Sequence, residues 1–441
     1  MNTIGTTVRT KAIALRARVT KHNKAIRHRA RRIGLFPAVG LALVVGLLVA
    51  IVAYGSLRFI TPTSDVKAAP IDITRVALTV VAGVGGVVAL VIAYRRQRDI
   101  EQSRFVERFG AAAAQLGAPD VAVRIAGVYA MAGVADESDE NRRQQCIDVL
   151  CGYLRLPYSP ELGANHQSKL VVKHHRSTAD STRGDDEERH LDYRQNDREV
   201  RTAIVRVIVA RLRSGSEYSW ASSDFDFRTA CLEEADFSEA DFGGRVWFDH
   251  ATFFEATSFR KAVFRREASF RATTFKAEAI FSEGEFFERT WFDYVRFEGL
   301  AVFSDTQFYG DAWFSNVKFS AVYDCIFIHS EFSGSALFAE TDFAGPTLYT
   351  DAKFSGRALF RSAIFSDNTH FGSAIFEGGV DFSRASFVGS TSFERTNFGS
   401  NEVLFHRPTR WGPPSPKFDW DGEPAAKPTN VSPRTWPPAA S

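Results

Sequence analysis

Four histidines, His166, His174, His175 and His190, are the side chains of this sequence with the clearest capacity to bind a metal ion. All four lie in one polar stretch, residues 159–196. A metal site needs further ligands at fixed spacing, and no cysteine or carboxylate pattern accompanies these histidines. The composition is typical of a solvated loop. We therefore expect a disordered insert over residues 159–196 and no metal site.

The four cysteines, Cys146, Cys151, Cys231 and Cys325, are the next candidates for chemistry, as metal ligands, disulfide partners or nucleophiles. Their spacing matches no metal-ligand pairing, and they are too few for a dense disulfide framework. Cys146 and Cys151 are spaced for one face of a helix. The pattern is typical of a protein from a reducing compartment, and we expect no bound cofactor.

Catalytic motifs are the third kind of chemistry that a sequence can indicate. Gly83, Gly85 and Gly86 resemble a phosphate-binding loop in composition, but no strand precedes them and they lie inside an apolar run, which favours packing glycines. Glu285 and Glu288 are isolated carboxylates at positions where a solvated face is expected. No nucleophile elbow, Walker loop or Ser, His and Asp set stands out. We therefore expect that this protein is not an enzyme.

The length and the charge distribution point to several units. The 441 residues exceed the usual size of one domain, so we expect two or three. The formal net charge of +2 hides an asymmetry, because residues 1–220 carry about +12 and residues 221–405 about −12. Phenylalanine is in excess, with 39 residues against 7 Trp and 11 Tyr. Nearly all lie beyond residue 224, so a structure that selects Phe by position is expected there.

Two apolar runs, residues 35–57 and 76–94, carry no charge and are each near the length that a helix needs to cross a bilayer. Lys and Arg are abundant before the first run and after the second, and the positive-inside rule then places both termini in the cytoplasm. A cleaved signal peptide is the alternative for the first run, but its apolar stretch would be shorter. We expect a two-span transmembrane helical hairpin over residues 34–94 in the cell inner membrane.

The leader, residues 1–33, is basic, and no acidic residue occurs before Asp65. Its apolar residues recur at intervals of three, four or seven, which predicts an amphipathic helix that lies on anionic lipid headgroups. Nucleic acid is the alternative partner, and the adjacent apolar run favours lipid. Ala42, Gly46 and Ala50 have the spacing that lets helix backbones approach, either within the hairpin or in a homodimer. We expect membrane lipids as partners and no direct contact with nucleic acid.

A helical connector is predicted over residues 95–215. Apolar residues recur at helical spacing over residues 99–135, where the sequence Gly-Ala-Pro at 117–119 divides the run into a helix pair. Two further helices are predicted over residues 141–154 and 197–212, on either side of the polar insert.

A repeat begins at Phe227. From Phe248 onward Phe recurs at steps that alternate between five and six residues, so the period is eleven, and a small residue stands two positions before each Phe. In extended chain, residues two apart share a face, so both point inward. We expect the Phe residues to stack as internal ladders. One core ladder is predicted to consist of Phe248, Phe259, Phe270, Phe281, Phe292, Phe303, Phe314, Phe338, Phe360, Phe371, Phe382 and Phe393.

An eleven-residue period is also the signature of a right-handed helical coiled coil. In a helix, however, a five-residue step rotates a side chain by roughly 140°, which would scatter the Phe residues over separate faces. The segment is also rich in Thr, Ser and Gly, which are weak helix formers. Four extended sides close a coil of about 22 residues, and coils stack about 4.8 Å apart as parallel strands do.

Residues 230–242, Ala-Cys-Leu-Glu-Glu-Ala-Asp-Phe-Ser-Glu-Ala-Asp-Phe, resemble the Ala-Asp/Asn-Leu-x-x motif of the pentapeptide-repeat family. The resemblance implies a right-handed quadrilateral β-helix over residues 221–405, with about eight coils. Segments 124–130, 149–155 and 200–204 resemble the helical region of membrane-anchored actinobacterial members, which implies architecture and not activity. The step from Phe319 to Phe327 is longer than the others and predicts a bulge or loop at residues 320–326.

The complete prediction is a mixed fold: a two-span transmembrane helical hairpin, a helical connector, a C-terminal β-solenoid, and a disordered Pro-rich tail over residues 406–441. The expected function is a non-enzymatic scaffold that is anchored in the membrane and binds an unidentified protein partner through the solenoid. The resemblance also implies an alternative, because some soluble family members bind type II topoisomerases by mimicking DNA with an acidic surface. The charge of residues 221–405 permits that alternative.

Overall fold

The computed structural model describes residue 51 and residues 70–160, 169–175, 186–192 and 197–439. The chain divides into two compact units, Met1–Arg104 and Phe105–Ser441. The predicted leader, residues 1–33, lies outside the described residues, as does the first apolar run, residues 35–57, apart from Ile51.

The described helices are α1 (Pro70–Leu116), α2 (Val121–Asp136), α3 (Glu140–Leu154) and α4 (Asp197–Leu212). The Asp120 carboxylate caps α2 by accepting hydrogen bonds from the N–H groups of Ala122, at 2.8 Å, and Val123, at 3.2 Å. Gly127 lets the start of α2 pass close to the end of α1, because a Cβ there would lie 2.6 Å from the nitrogen of Leu116.

The membrane prediction requires correction. None of the helices in the described part of the chain combines the length and the apolar composition that crossing a bilayer requires. The second predicted span, residues 76–94, is one section of α1, which continues without a break into Arg95, Arg96 and Arg98. The predicted transmembrane hairpin, and with it the predicted location in the inner membrane, is therefore wrong for the helix that the structure describes.

The insert between α3 and α4 also differs from expectation. Where a disordered stretch was predicted, the structure contains an antiparallel pair, β1 (Lys169–His175) and β2 (Asp186–Asp192). The apolar sequence Leu-Val-Val at 170–172 favours a strand, because β-branched residues fit the pleated backbone. Among the described residues no group of His, Cys, Asp or Glu is arranged to hold a metal ion.

Residues 225–432 form a β-solenoid of about eight coils, in which the chain visits four parallel sheets in turn. We number these sheets face 1 to face 4 in the order in which each coil reaches them. Each strand inside a sheet pairs with the strands one coil before and one coil after, so that Phe264 lies opposite both Phe242 and Phe286.

The strands of the solenoid are two residues long. Face 1 contains Phe225–Asp226, Val246–Trp247, Ala268–Ser269, Thr290–Trp291, Ala312–Trp313, Ala336–Leu337, Ala358–Leu359, Val380–Asp381, Val403–Leu404 and Val431–Ser432. Face 2 contains Cys231–Leu232, Thr252–Phe253, Thr274–Phe275, Arg296–Phe297, Lys318–Phe319, Asp342–Phe343, Ile364–Phe365, Ser386–Phe387 and Arg410–Trp411. Face 3 contains Ala235–Asp236, Thr257–Ser258, Ala279–Ile280, Ala301–Val302, Cys325–Ile326, Thr347–Leu348, Thr369–His370 and Thr391–Ser392. Face 4 contains Asp241–Phe242, Val263–Phe264, Glu285–Phe286, Gln307–Phe308, Glu331–Phe332, Lys353–Phe354 and Ile375–Phe376.

Two kinds of corner explain why the Phe steps alternate. At the corners after faces 1 and 3, one residue adopts the left-handed conformation, as Lys261 does with φ 57° and Ala272 with φ 53°. The next N–H then closes a tight turn, and that of Ala262 donates to the carbonyl of Phe259 at 2.9 Å. A five-residue step, such as Phe259 to Phe264, crosses this corner. A six-residue step crosses the corner without a left-handed residue.

The core consists of stacked phenyl rings. Rings one coil apart are nearly parallel, with centroids 4.8 Å apart for Phe270 and Phe292 and for Phe281 and Phe303. The stacks of faces 1 and 3 meet edge to face in the interior, where the Phe270 and Phe281 centroids are 5.5 Å apart at 89°. Such offset and edge-to-face geometries are the favourable ones for aromatic pairs.

Helices α3 and α4 close the first coil. Gln144 of α3 accepts a hydrogen bond from the Asp224 N–H at 2.9 Å and donates to its carbonyl at 2.8 Å. Arg198 of α4 forms an ion pair with Glu255 at 2.7 Å. The two Gln144 contacts occupy backbone groups of residue 224, beside the first strand of face 1, that would otherwise be exposed at the end of the sheet.

The tail closes the last coil, where disorder was predicted. It contributes strands to faces 1 and 2, and the Phe418 ring stacks on that of Phe393 at 4.8 Å. Trp411 and Trp436 pack edge to face at 5.5 Å beneath Phe405. Composition pointed to disorder because the segment is rich in Pro, but its aromatic residues bury the open end of the core.

Candidate functional site: apolar ladders on opposite faces

The surface of the solenoid is built from the residues that alternate with the inward ones. In each coil, the residue directly before an inward Phe points outward, and it lies opposite the equivalent residue one coil away. Each face therefore displays a column of side chains at about 4.8 Å spacing. The types of residue in these columns decide what each face can bind.

The face 1 ladder, which we define as Trp291, Trp313, Leu337 and Leu359, consists of half-buried apolar residues on four consecutive coils. The guanidinium carbon of Arg289 lies 5.7 Å from the ring centroids of both Trp291 and Trp313. That arginine is also 3.9 Å from a carboxylate of Asp311. Basic groups beside the ladder are thus held by aromatic rings and by neighbouring carboxylates.

The face 3 ladder, which we define as Ile280, Val302, Ile326 and Leu348, is aliphatic and also occupies four consecutive coils. All four side chains are half-buried. Leu300 and Pro346 extend the apolar surface on the edge that adjoins face 2, and Ile328 extends it on the other edge. No aromatic residue or guanidinium group is part of this ladder.

A loop at residues 320–324 projects beside the face 3 ladder and accounts for the long step after Phe319. Val322 and Tyr323 are its exposed apolar residues, at 77% and 52% of their full accessible area. Gly345 in the next coil permits the loop, because a Cβ there would lie 2.4 Å from the Ser320 carbonyl oxygen. The loop adds exposed apolar surface at the edge of the ladder.

Carboxylates border the face 3 ladder on both edges. Asp324 precedes the strand on one edge. On the other edge, His329 lies between Asp305 and Asp351, at 3.5 and 3.6 Å. The three coil segments 299–306, 323–330 and 345–352 contain these three aspartates but no Lys or Arg. This edge charge distinguishes face 3 from face 1.

Faces 2 and 4 are largely polar. Glu285, which was singled out as an isolated carboxylate, points outward on face 4. Glu288 forms an ion pair with Arg266 at 3.2 Å, and Asp241 forms one with Arg265 at 2.8 Å. Such exposed pairs solvate a surface and contribute little to stability.

The interior offers little space for a ligand. A crevice between α4 and the first coil, lined by Arg198, Arg201, Cys231 and Glu233, encloses about 10 Å³, which is about the space of one water molecule. Burial raises the pKa of Cys146 and of Cys151 to about 12, and it also raises the pKa of Cys231. Thiols with a raised pKa are poor nucleophiles, since the thiolate is the reactive form.

The residues of the predicted core ladder all lie inside the solenoid, where each is at most 1% exposed. The structure divides them between two stacks that interlock: Phe248, Phe270, Phe292, Phe314, Phe338, Phe360 and Phe382 belong to face 1, and Phe259, Phe281, Phe303, Phe371 and Phe393 to face 3. The two outward ladders were not predicted from the sequence. They could have been found by comparing the residue directly before each Phe with its equivalent one coil, about 22 residues, further on.

Comparison with known proteins agrees with this architecture. A family model described as pentapeptide repeats (9 copies) matches residues 327–386, which lie within the coils described above. Searches among curated proteins and among solved structures found no significant match. The narrower resemblance to actinobacterial members stays a prediction, without the membrane anchor that the described helices do not support. The match shows that residues 327–386 contain pentapeptide repeats, and the four-sided stack of Phe-centred coils extends the same architecture over residues 225–432.

Proposed function

We propose that this protein is a non-enzymatic scaffold that binds other proteins through the outward faces of its solenoid. The observation that carries the proposal is the pair of apolar ladders on faces 1 and 3, each four coils long. Contiguous apolar residues on a regular sheet face mark an interaction surface, whereas scattered ones do not. Faces 2 and 4 are largely polar, and their outward strand residues form no apolar column of comparable length.

The core supports a binding role over a catalytic one. Phenyl rings fill the interior of each coil, so the solenoid presents side chains on its surface and encloses little space for a substrate. Solenoids commonly act in this way, by offering a long surface whose side chains repeat at fixed spacing.

DNA mimicry is the alternative, and the net charge of about −12 over residues 221–405 favours it. A mimic needs carboxylates that are free to meet a basic partner. On this surface many of them are paired with Arg or Lys one coil away, as Asp224 is with Arg245 and Glu298 with Lys276. We therefore favour the scaffold function over DNA mimicry.

Site-specific photocrosslinking in the native cell tests the scaffold. A photoreactive amino acid is placed at Trp313 on face 1 or at Ile326 on face 3, and at Thr274 on face 2 or Glu331 on face 4 as matched controls. We expect discrete crosslinked species from faces 1 or 3 and none above background from faces 2 and 4. Equal crosslinking from all four faces, or none from any, would contradict the proposal.

A further inference from the structure

We infer that the face 3 ladder is a docking site for a basic amphipathic helix of a partner protein. This inference rests on the proposed function and narrows it to one surface and one class of partner. The ladder provides an aliphatic strip, and the carboxylates along its edges provide the charge that such a helix complements.

The aliphatic strip has the dimensions of a short helix. Its four rows span about 14 Å, because neighbouring strands lie about 4.8 Å apart. A helix that lies along the coil stack covers this distance with about ten residues at 1.5 Å each. The apolar stripe of an amphipathic helix would cover Val302 and Ile326 at the centre, with Leu300 and Ile328 beside them.

The charge around the strip selects a basic partner. Asp305 and Asp351 are about half exposed on one edge, where His329 lies between them at 3.5 and 3.6 Å. Asp324 is exposed on the other edge. Lys and Arg side chains that flank the apolar stripe of a helix would meet these carboxylates on both sides, which adds attraction that salt weakens.

A second copy of this chain fits the surface less well. A strip of four half-buried aliphatic rows, about 14 Å long, is far smaller than the surface of roughly 800 Å² that each partner buries in a stable dimer. Two copies would also bring the aspartates of both edges together, because every coil that carries the ladder is acidic there. Like charges at an interface oppose association.

Face 1 does not carry the same inference. Its arginines lie against the indole rings and the neighbouring aspartates, as Arg271 does with Trp291 at 4.5 Å and Asp293 at 3.7 Å. The charges on that face are therefore largely compensated within the chain. Face 1 is the natural control, because its ladder has the same length and the same outward positions.

The test uses the purified full-length protein and a fluorescent helical peptide of about 14 residues with Leu at i, i+3 and i+4 spacing and Lys elsewhere. Two double variants are compared, Val302→Ser with Ile326→Ser on face 3 and Leu337→Ser with Leu359→Ser on face 1. We expect the first to weaken binding at least tenfold and the second to change it less than twofold. Thermal unfolding of both variants checks that each retains its fold.

A charge variant keeps the inference testable if the serine variant unfolds. Asp305→Asn, Asp324→Asn and Asp351→Asn together should weaken binding and remove most of its salt dependence, whereas Asp342→Asn with Glu331→Gln on faces 2 and 4 should do neither. Equal losses from face 1 and face 3 variants would overturn the inference. So would self-association of the protein that the face 3 variant abolishes. If the face 3 variants bind the peptide as tightly as the wild type while crosslinks from face 1 persist, the inference is wrong and the scaffold proposal is unaffected.

Discussion

Phe281 illustrates how single core residues stabilise the solenoid. Its ring stacks on those of Phe259 and Phe303, at 4.9 and 4.8 Å, and it has no exposed surface. Phe281→Ala should lower the free energy of unfolding by about 3–5 kcal/mol, because it leaves a cavity in a packed core. Phe287→Ala is the matched control: this ring is 41% exposed and stacks only on Tyr309, so a loss below about 1 kcal/mol is expected. Urea unfolding measures both, and equal losses would contradict the inward assignment.

Asp381 is a charged residue at an outward position of face 1 that is nevertheless fully buried. Burial alone would raise its pKa. Hydrogen bonds from the Ser383 N–H, at 2.8 Å, and from Arg361, at 2.5 Å, outweigh burial and hold the pKa below its usual value. A lowered pKa means that the folded state prefers the carboxylate, so the stability it contributes is present above the ordinary pKa of 3.8 and is lost as the pH falls through the folded-state pKa.

Asp381→Asn should therefore lower the free energy of unfolding at pH 7, and the difference from the wild type should shrink as the pH is lowered below about 4. Unfolding in denaturant at a series of pH values measures this difference. Asp342→Asn on face 2, where the side chain is half-buried, is the control and should change the free energy of unfolding only slightly at pH 7. A difference at Asp381 that is constant with pH would show that the ion pair with Arg361 does not stabilise the fold.

At the scale of the element, the corners limit which residues the repeat tolerates. Ala272 occupies a left-handed corner with φ 53°, where a β-branched side chain is disfavoured and glycine is not. Ala272→Val should lower the free energy of unfolding by about 1–2 kcal/mol, and Ala272→Gly should stay within about 1 kcal/mol of the wild type. Ala256→Val provides the control, because Ala256 is exposed at the other kind of corner. Equal effects of both valine substitutions would argue that the left-handed turn is not limiting.

The coils were predictable because their period is carried by one residue type. Each Phe must point inward, so the steps of five and six residues give the length of each side directly. The left-handed corners could not be predicted in the same way, because unrelated residue types such as Lys261, Ala272 and Tyr294 all occupy them. The outward ladders were not predictable from Phe spacing, because they depend on which variable residues become neighbours one coil apart. That adjacency appears only once the period of 22 residues is folded into a stack.

At the scale of the whole molecule, the predictions that failed relied on composition without packing. The apolar run at residues 76–94 has the composition of a membrane span, but it forms part of a 47-residue helix that continues into charged sequence. The tail has the composition of a disordered segment, but Trp411, Phe418 and Trp436 pack against Phe387, Phe393 and Phe405 at the open end of the last coil. The composition of the tail alone cannot predict this packing, because the residues that form the open end of the last coil lie outside the tail sequence.

The tail leads to a prediction about assembly. Without residues 406–441, the rings of Phe393 and Phe405 would lose the cover of Phe418 and Trp436, and the last strands of faces 1 and 2 would become unpaired edges. Open edges of parallel sheets invite pairing with another chain. The truncated protein should therefore associate end to end, with a sedimentation coefficient that rises with concentration.

Sedimentation velocity over a range of concentrations tests this prediction, with a second truncation that removes only residues 438–441 as the control. The control retains Trp436 and the strand Val431–Ser432, so its sedimentation should match that of the full chain. End-to-end pairing also explains why the truncated protein should keep its β-type circular dichroism while it associates, because the inner coils remain stacked. A truncated protein that sediments like the full chain at every concentration and unfolds at the same temperature would mean that the tail does not protect the end of the solenoid.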